Sequence, residues 1–141
     1  MDVTDANHPV AEGWAWAAHD AAMSEVVMRT MPNIVREWGL TQDDMAALLG
    51  MEVEMYRKWS VDPSEAHLKP RQLERTSYLL GIYKALVILL PLPKQQRHWL
   101  HHPNQGALYQ GTPPIARMRQ GLEGLQAVRR HLDAERQGGF A

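Results

Sequence analysis

Cysteine is missing from this 141-residue chain, which excludes a disulfide framework and any thiolate-held metal, and removes the usual reason to place a protein in an oxidising compartment. Long apolar runs are missing too. The longest stretch, Ile82 to Leu92, is interrupted by Lys84 and Pro91 and is too short to cross a bilayer, so it reads as core. Met1 to Asn7 is acidic and polar and lacks the basic start and apolar run of a secretory leader, so a cytoplasmic protein with no membrane attachment is expected. The constellations that carry catalysis are equally absent: there is no Ser/His/Asp arrangement, no glycine-rich phosphate loop and no carboxylate pair in an apolar setting. No catalytic residue, cofactor or metal is therefore expected, and the chain reads as a non-enzyme. The nearest approach to a metal motif is His98, His101 and His102. His98 and His102 would share a helix face, but no further ligand is spaced to complete a shell, and solvated or core-satisfied histidines explain the cluster better.

What is present suits a globular protein: 45% hydrophobic and 22% charged residues, in a length that holds one ordinary domain or two small helical units sharing a core. The net charge of −1 hides an uneven distribution. Residues 1–69 carry 5 Lys/Arg against 12 Asp/Glu, and residues 70–141 carry 10 against 4. The chain is a charge dipole along its sequence, which could help its halves dock on each other.

Residues 1–20 read as a flexible amino-terminal arm, with order beginning around Trp14 and Trp16. From Ala21 to Trp38 the apolar residues Met23, Val26, Val27, Met31, Ile34, Val35 and Trp38 recur at helical spacing, and Pro32 is expected to kink this helix or split it. Gly39 ends it. Thr41 then stands as an N-cap ahead of Asp43 and Asp44, acids favoured at a helix start.

Leu40 to Trp59 has the form of a helix-turn-helix. Ala46, a small residue, lets a second helix approach, Gly50 supplies the positive φ of a tight turn, and Leu48, Met51, Tyr56 and Trp59 would share a core. The second helix would offer Glu52, Val53, Glu54, Arg57 and Lys58 to a major groove, with Gln42 at the first helix's start suited to a phosphate. Its two glutamates repel a nucleic-acid backbone, so affinity should be weak unless dimerisation doubles the contacts.

Ser60 to Pro70 reads as a linker. Arg71 to Leu90 is a long helix whose apolar residues cover nearly its whole circumference after Tyr78, predicting a buried central helix or a dimer seam. Pro91 and Pro93 stop it, Lys94 to His101 forms a short helix, and Gln105 to Gly111 a turn. Thr112 and Pro113 read as an N-cap followed by proline at the first helical position. Ile115, Met118, Leu122, Leu125, Val128 and Leu132 continue a helical stripe, broken near Gly121 or Gly124, before a flexible tail from Gln137 to Ala141. The expected fold is all-α, with a helix-turn-helix unit over 21–69 and a second small helical domain over 70–141.

Taken together, these pieces resemble the Xre/MbcA/ParS antitoxin family from about Val26 onward. The residues that carry the likeness are Trp38-Gly39-Leu40-Thr41, Leu48-Leu49-Gly50, the stretch Arg75 to Leu86, Trp99-Leu100 with Pro103-Asn104, Gly111-Thr112-Pro113, and Val128 to Asp133 ahead of Gly138-Gly139. Departures are the acidic reading helix and Tyr109-Gln110 where the family tends to Phe-Gly. The resemblance implies a type II antitoxin: an Xre-like DNA-binding half that autorepresses its operon, and a second half that binds a RES-domain, NAD-degrading or ADP-ribosylating toxin and covers its cleft. It implies toxin contacts at Trp99, Asn104, Tyr109, Arg129, Arg130, Asp133, Gly138, Gly139, Phe140 and Ala141, with the last four residues as a plug, and a homodimer that also meets operator DNA. A stand-alone helix-turn-helix regulator without a toxin is the alternative.

Overall fold

The computed structural model describes the backbone of residues 9–138 and the side chains from Asp20 onward. Among the described residues every regular element is helical: α1 (Pro9–Trp38), α2 (Gln42–Leu49), α3 (Val53–Val61), a single 3-10 turn (Pro63–Glu65), α4 (Pro70–Leu89), α5 (Pro93–His101), α6 (Pro114–Met118) and α7 (Leu122–Gly138). The all-α expectation holds.

α1 corrects two expectations. Helix begins at Pro9, so residues 9–20 are no loose arm; 1–8 lie outside the described residues. Proline opens a helix without losing a hydrogen bond, and the alanines at 11, 15, 17, 18, 21 and 22 have the highest helix propensity of any residue. Pro32 lies inside the helix without splitting it. Its ring removes one bond to the preceding turn, but Met28, Met31, Ile34 and Trp38 around it are buried, and that packing holds the helix through the gap.

The helix-turn-helix forms as its residues predict. Thr41 Oγ1 accepts from the Asp44 backbone N–H at 2.9 Å and the Asp44 carboxylate accepts from the Thr41 N–H at 3.0 Å, a closed capping box. Gly50 takes φ 74° and donates back to the Ala46 and Ala47 carbonyls, a left-handed cap that suits glycine. Leu48 and Tyr56 are buried beneath the crossing. The expected linker after it is clamped: Ala66 and Leu68 are buried, and the Leu68 N–H donates to the buried Ser24 hydroxyl at 2.9 Å.

α4 belongs to both halves, packing on α2, α5 and, most extensively, α7. Arg75 lies near Gly121, Tyr78 is bonded to Gln126, and Gly81 faces Arg129, so α4 and α7 run in the same direction. A Cβ on Gly81 would overlap the Arg129 guanidinium, and one on Gly124 would overlap the Arg117 carbonyl; the two bare positions let α7 come close to α4 and to α6. The stripe breaks at Gly121, φ 103°, and Gly124 stays helical. The α6 cap lies one residue later than expected, at Pro113. Pro114 takes the first helical position, and Thr112 Oγ1 donates to the Tyr109 carbonyl instead.

A single hydrophobic cluster runs from Val27 to Leu132, so the division expected at residue 70 separates no independent cores. Trp38 Nε1 donates to Gln96 Oε1 at 3.1 Å, His101 Nε2 lies 2.8 Å from the Trp38 carbonyl, and Tyr83 donates to Glu37 at 2.7 Å. Arg119, in the turn after α6, pairs with Asp44 of α2. α4 and α5 meet at 118°, and α4 is not enclosed all round: Leu80, Val87 and Ile88 are exposed.

Candidate functional site

α3 presents Glu54, Met55, Arg57 and Lys58 to solvent, with Glu52 as its N-cap. Val53 is half-buried and packs against the core, so it belongs to the crossing rather than to the outer face. Arg57 is engaged twice: Nε donates to Gln42 Oε1 at 2.9 Å and an Nη to Glu54 Oε1 at 2.8 Å. The structure thus gathers Gln42, Glu54 and Arg57 into one internally satisfied group. The cation best suited to a base edge or phosphate is paired, in an exposed contact, with a carboxylate of its own helix.

The second half builds its expected site residues into two different environments. Asn104 organises the loop before α6. Its Oδ1 accepts from the Gly106 N–H at 2.9 Å, its N–H donates to the Thr112 carbonyl, and its own carbonyl accepts from Gly111 at 2.7 Å. Gln110 and Gly111, both at positive φ, turn the chain so that Tyr109 points inward. Tyr109 is buried, with its hydroxyl 2.8 Å from His131 Nδ1 on α7. Burial pushes the phenol's pKa up, against a smaller opposing pull from Arg117. Trp99 meets the Tyr109 ring edge-on at 5.9 Å and stacks with His131 at 6.4 Å. Asn104 therefore closes the loop on itself and Tyr109 holds it to α7, leaving half-buried Trp99 at the cluster's edge.

Arg129, Arg130 and Asp133 lie along α7. The Arg129 guanidinium sits over the Tyr78 ring, 6.0 Å from its centroid, across the gap left by Gly81. Its Nε is 3.4 Å from Asp133 Oδ2, close enough for an ion pair but with the N–H directed away from the carboxylate, so this buried N–H makes no hydrogen bond. Asp133 also has Arg136 at 3.9 Å. Arg130 is exposed, and Gly138 ends α7 in the open; Gly139, Phe140 and Ala141 lie outside the described residues. Arg117 grips Glu123 with two bonds of 3.0 and 2.8 Å, tying α6 to the start of α7. That grip holds the Glu123 carboxyl below its ordinary range.

The His98 and His102 rings stack at 4.6 Å, and among the described residues no group of three or more His, Asp or Glu is placed to hold a metal ion. The residues that sequence reasoning missed are Gln96, Arg119 and the exposed aliphatics of α4. The signal for the last was present, since Ile82 to Leu92 holds more apolar residues than one helix face can bury.

Residues 17–81 match the antitoxin Xre-like helix-turn-helix domain, and residues 85–138 match the antitoxin Xre/MbcA/ParS C-terminal toxin-binding domain. The uncharacterized protein y4oB of Sinorhizobium fredii is 31% identical over 121 residues, covering 84% of this chain and 91% of that protein. The chain belongs to the Xre/MbcA/ParS antitoxin family. Its make-up is that of a type II antitoxin, and the toxin-binding domain implies a cognate toxin as partner. The two matched segments meet inside α4, the helix that both halves share.

Proposed function

We propose that this protein neutralises a RES-type toxin, one that degrades NAD or transfers its ADP-ribose, by covering the toxin's catalytic cleft in the cytoplasm. The observation that carries this reading is the match of residues 85–138 to a toxin-binding domain, on a helical unit built as a body rather than as a catalytic pocket. Tyr109, Trp99 and His131 pack against one another to fix the loop before α6. Such a rigid surface inhibits by obstruction, because an ordered inhibitor loses little entropy on binding. The chain continues past α7 as Gly139-Phe140-Ala141, where glycine allows close backbone approach and the ring suits an apolar slot. The reading includes a homodimer that represses its own operon. Exposed Lys58 favours DNA, whereas the Glu54–Arg57 pairing weakens each single contact, so two copies are needed.

The test is expression of a tagged copy from the native operon. A stoichiometric second polypeptide should co-purify, and cells making that polypeptide should keep their NAD only when the full chain is present. A copy ending at Gln137 tests the plug: it should associate yet protect less. Equal NAD loss with and without the chain, together with no association, refutes the antitoxin reading.

A further inference from the structure

Outside the contacts already described, α4 carries a stripe that none of the described residues covers. Leu80, Lys84, Val87 and Ile88 stand at i, i+4, i+7 and i+8, within one helix face. The three aliphatics are 39%, 39% and 51% exposed, and Leu92, just past the helix, is 58% exposed. The stripe leads into a cleft lined by Leu90, Lys94, Gln95, His98 and Trp99, whose walls are mostly apolar. Eight large hydrophobic residues are exposed among those described, and four of them fall within this one short segment. Scattered exposed aliphatics are ordinary; a contiguous group is the mark of an interaction surface.

Charge selects the occupant. Between Glu74 and Glu123 the sequence contains no Asp or Glu, while Arg75, Lys84, Lys94 and Arg97 fall in that span; Arg117 and Arg119 fall there too but pair with Glu123 and Asp44. Lys84 stands inside the apolar stripe, and Lys94 lines the cleft. Apposing two copies through this face would set Lys84 and Lys94 against their counterparts, with no carboxylate on α5 or on α4 beyond Glu74, six residues before Leu80, to answer. A partner with an apolar face bordered by carboxylates meets no such penalty. Val87, Ile88 and Leu92 also lie within the matched toxin-binding segment, 85–138.

We infer that the Leu80–Ile88 stripe of α4 and the cleft at its junction with α5 are the seat of the toxin, which presents there an apolar patch rimmed by Asp or Glu. This inference rests on the antitoxin reading and adds where the toxin docks and the chemistry by which it is recognised. The seat supplies affinity, a role different from the obstruction proposed above for the end of the chain.

The experiment uses the full chain and the polypeptide co-purified from the native operon. Affinity is measured by titration calorimetry for the unaltered chain, V87D/I88D, the milder V87S/I88S, K84E, and V61D, a control on exposed Val61 of α3. The altered positions are exposed, and a thermal melt of each variant confirms that it folds. The expected result is at least a hundredfold weaker binding for V87D/I88D, a smaller loss for V87S/I88S, weaker and less salt-sensitive binding for K84E, and no change for V61D. If the unaltered chain binds and V87D/I88D binds equally well, the seat is elsewhere and the antitoxin reading survives. If the unaltered chain captures nothing, that reading falls and this inference with it. Light scattering and phosphatidylglycerol vesicles test the other occupants. A dimer that becomes a monomer in V87D/I88D, or vesicle binding lost in it, with toxin affinity kept, assigns the face to a second copy or to anionic lipid and overturns the proposal.

Discussion

Trp38 and Gln96 are joined by a hydrogen bond inside the core, the indole N–H donating to the side-chain carbonyl at 3.1 Å, with 0% and 1% of each residue exposed. Gln96 spends its amide on the Leu90 carbonyl at 2.9 Å, so one side chain satisfies the end of α1 and the end of α4 together. Replacing it by leucine leaves a buried indole N–H and a part-buried carbonyl without this partner, the first costing about 1–3 kcal/mol. Gln96→Leu should therefore lower the urea midpoint without changing the slope of the transition. An unchanged midpoint would show that water reaches both groups.

Asp44 carries a pH dependence. Burial pushes its carboxyl up, but its bonds to the Thr41 N–H and hydroxyl and to Arg119 outweigh that, and the net position is below the ordinary value. A carboxyl depressed on folding contributes stability that is present above its unfolded pKa, near 4, and is lost as pH falls through the lower folded value. Asp44→Asn should thus be less stable than the unaltered chain at neutral pH, and the gap should close below about pH 4. A gap that persists in acid would assign the loss to packing rather than charge. Thr41→Ala, which opens the same box, should cost about 1 kcal/mol.

Two glycines should respond oppositely to alanine. At Gly81 the added methyl meets the far end of the Arg129 side chain, whereas at Gly124 it meets the Arg117 backbone carbonyl. A guanidinium can swing aside, and alanine is the better helix former by about 1 kcal/mol, so Gly81→Ala should melt at or above the normal temperature. Backbone cannot yield without parting α6 from α7, and overpacking of this kind costs about 1–3 kcal/mol, so Gly124→Ala should melt lower. Similar melting of the two variants would show that the helices are not in the close contact described.

Glu54 restrains Arg57. Removing its charge should free the guanidinium for phosphate, so Glu54→Gln should bind duplex DNA more tightly than the unaltered chain. The dependence of log K on log salt should steepen by about 0.9 for each phosphate newly neutralised. Measuring affinity by fluorescence anisotropy at several salt concentrations checks this, and an unaltered slope would place Arg57 away from the backbone.

Much of this molecule is decided within a few residues of chain. The Thr41 cap, the left-handed Gly50, the stop at Pro91 and the break at Gly121 all follow from local chemistry, because each depends on a backbone angle or a hydrogen bond to a near neighbour. Helical periodicity likewise identified Leu48, Tyr56, Leu125 and Leu132 as core. Tertiary structure decided which face of an over-apolar helix was left in water. Leu80, Val87 and Ile88 are as hydrophobic as Leu79, Ile82 and Leu86, and only the positions of α2, α5 and α7 around α4 determine which set is covered. It also decided that Asn104 bonds Thr112 within the turn while Tyr109 is turned inward onto His131 of α7, and that Arg57 is engaged, since Gln42 reaches it across the helix crossing. Sequence specifies what each segment can form; contact between segments distant along the chain settles which groups remain available to a partner.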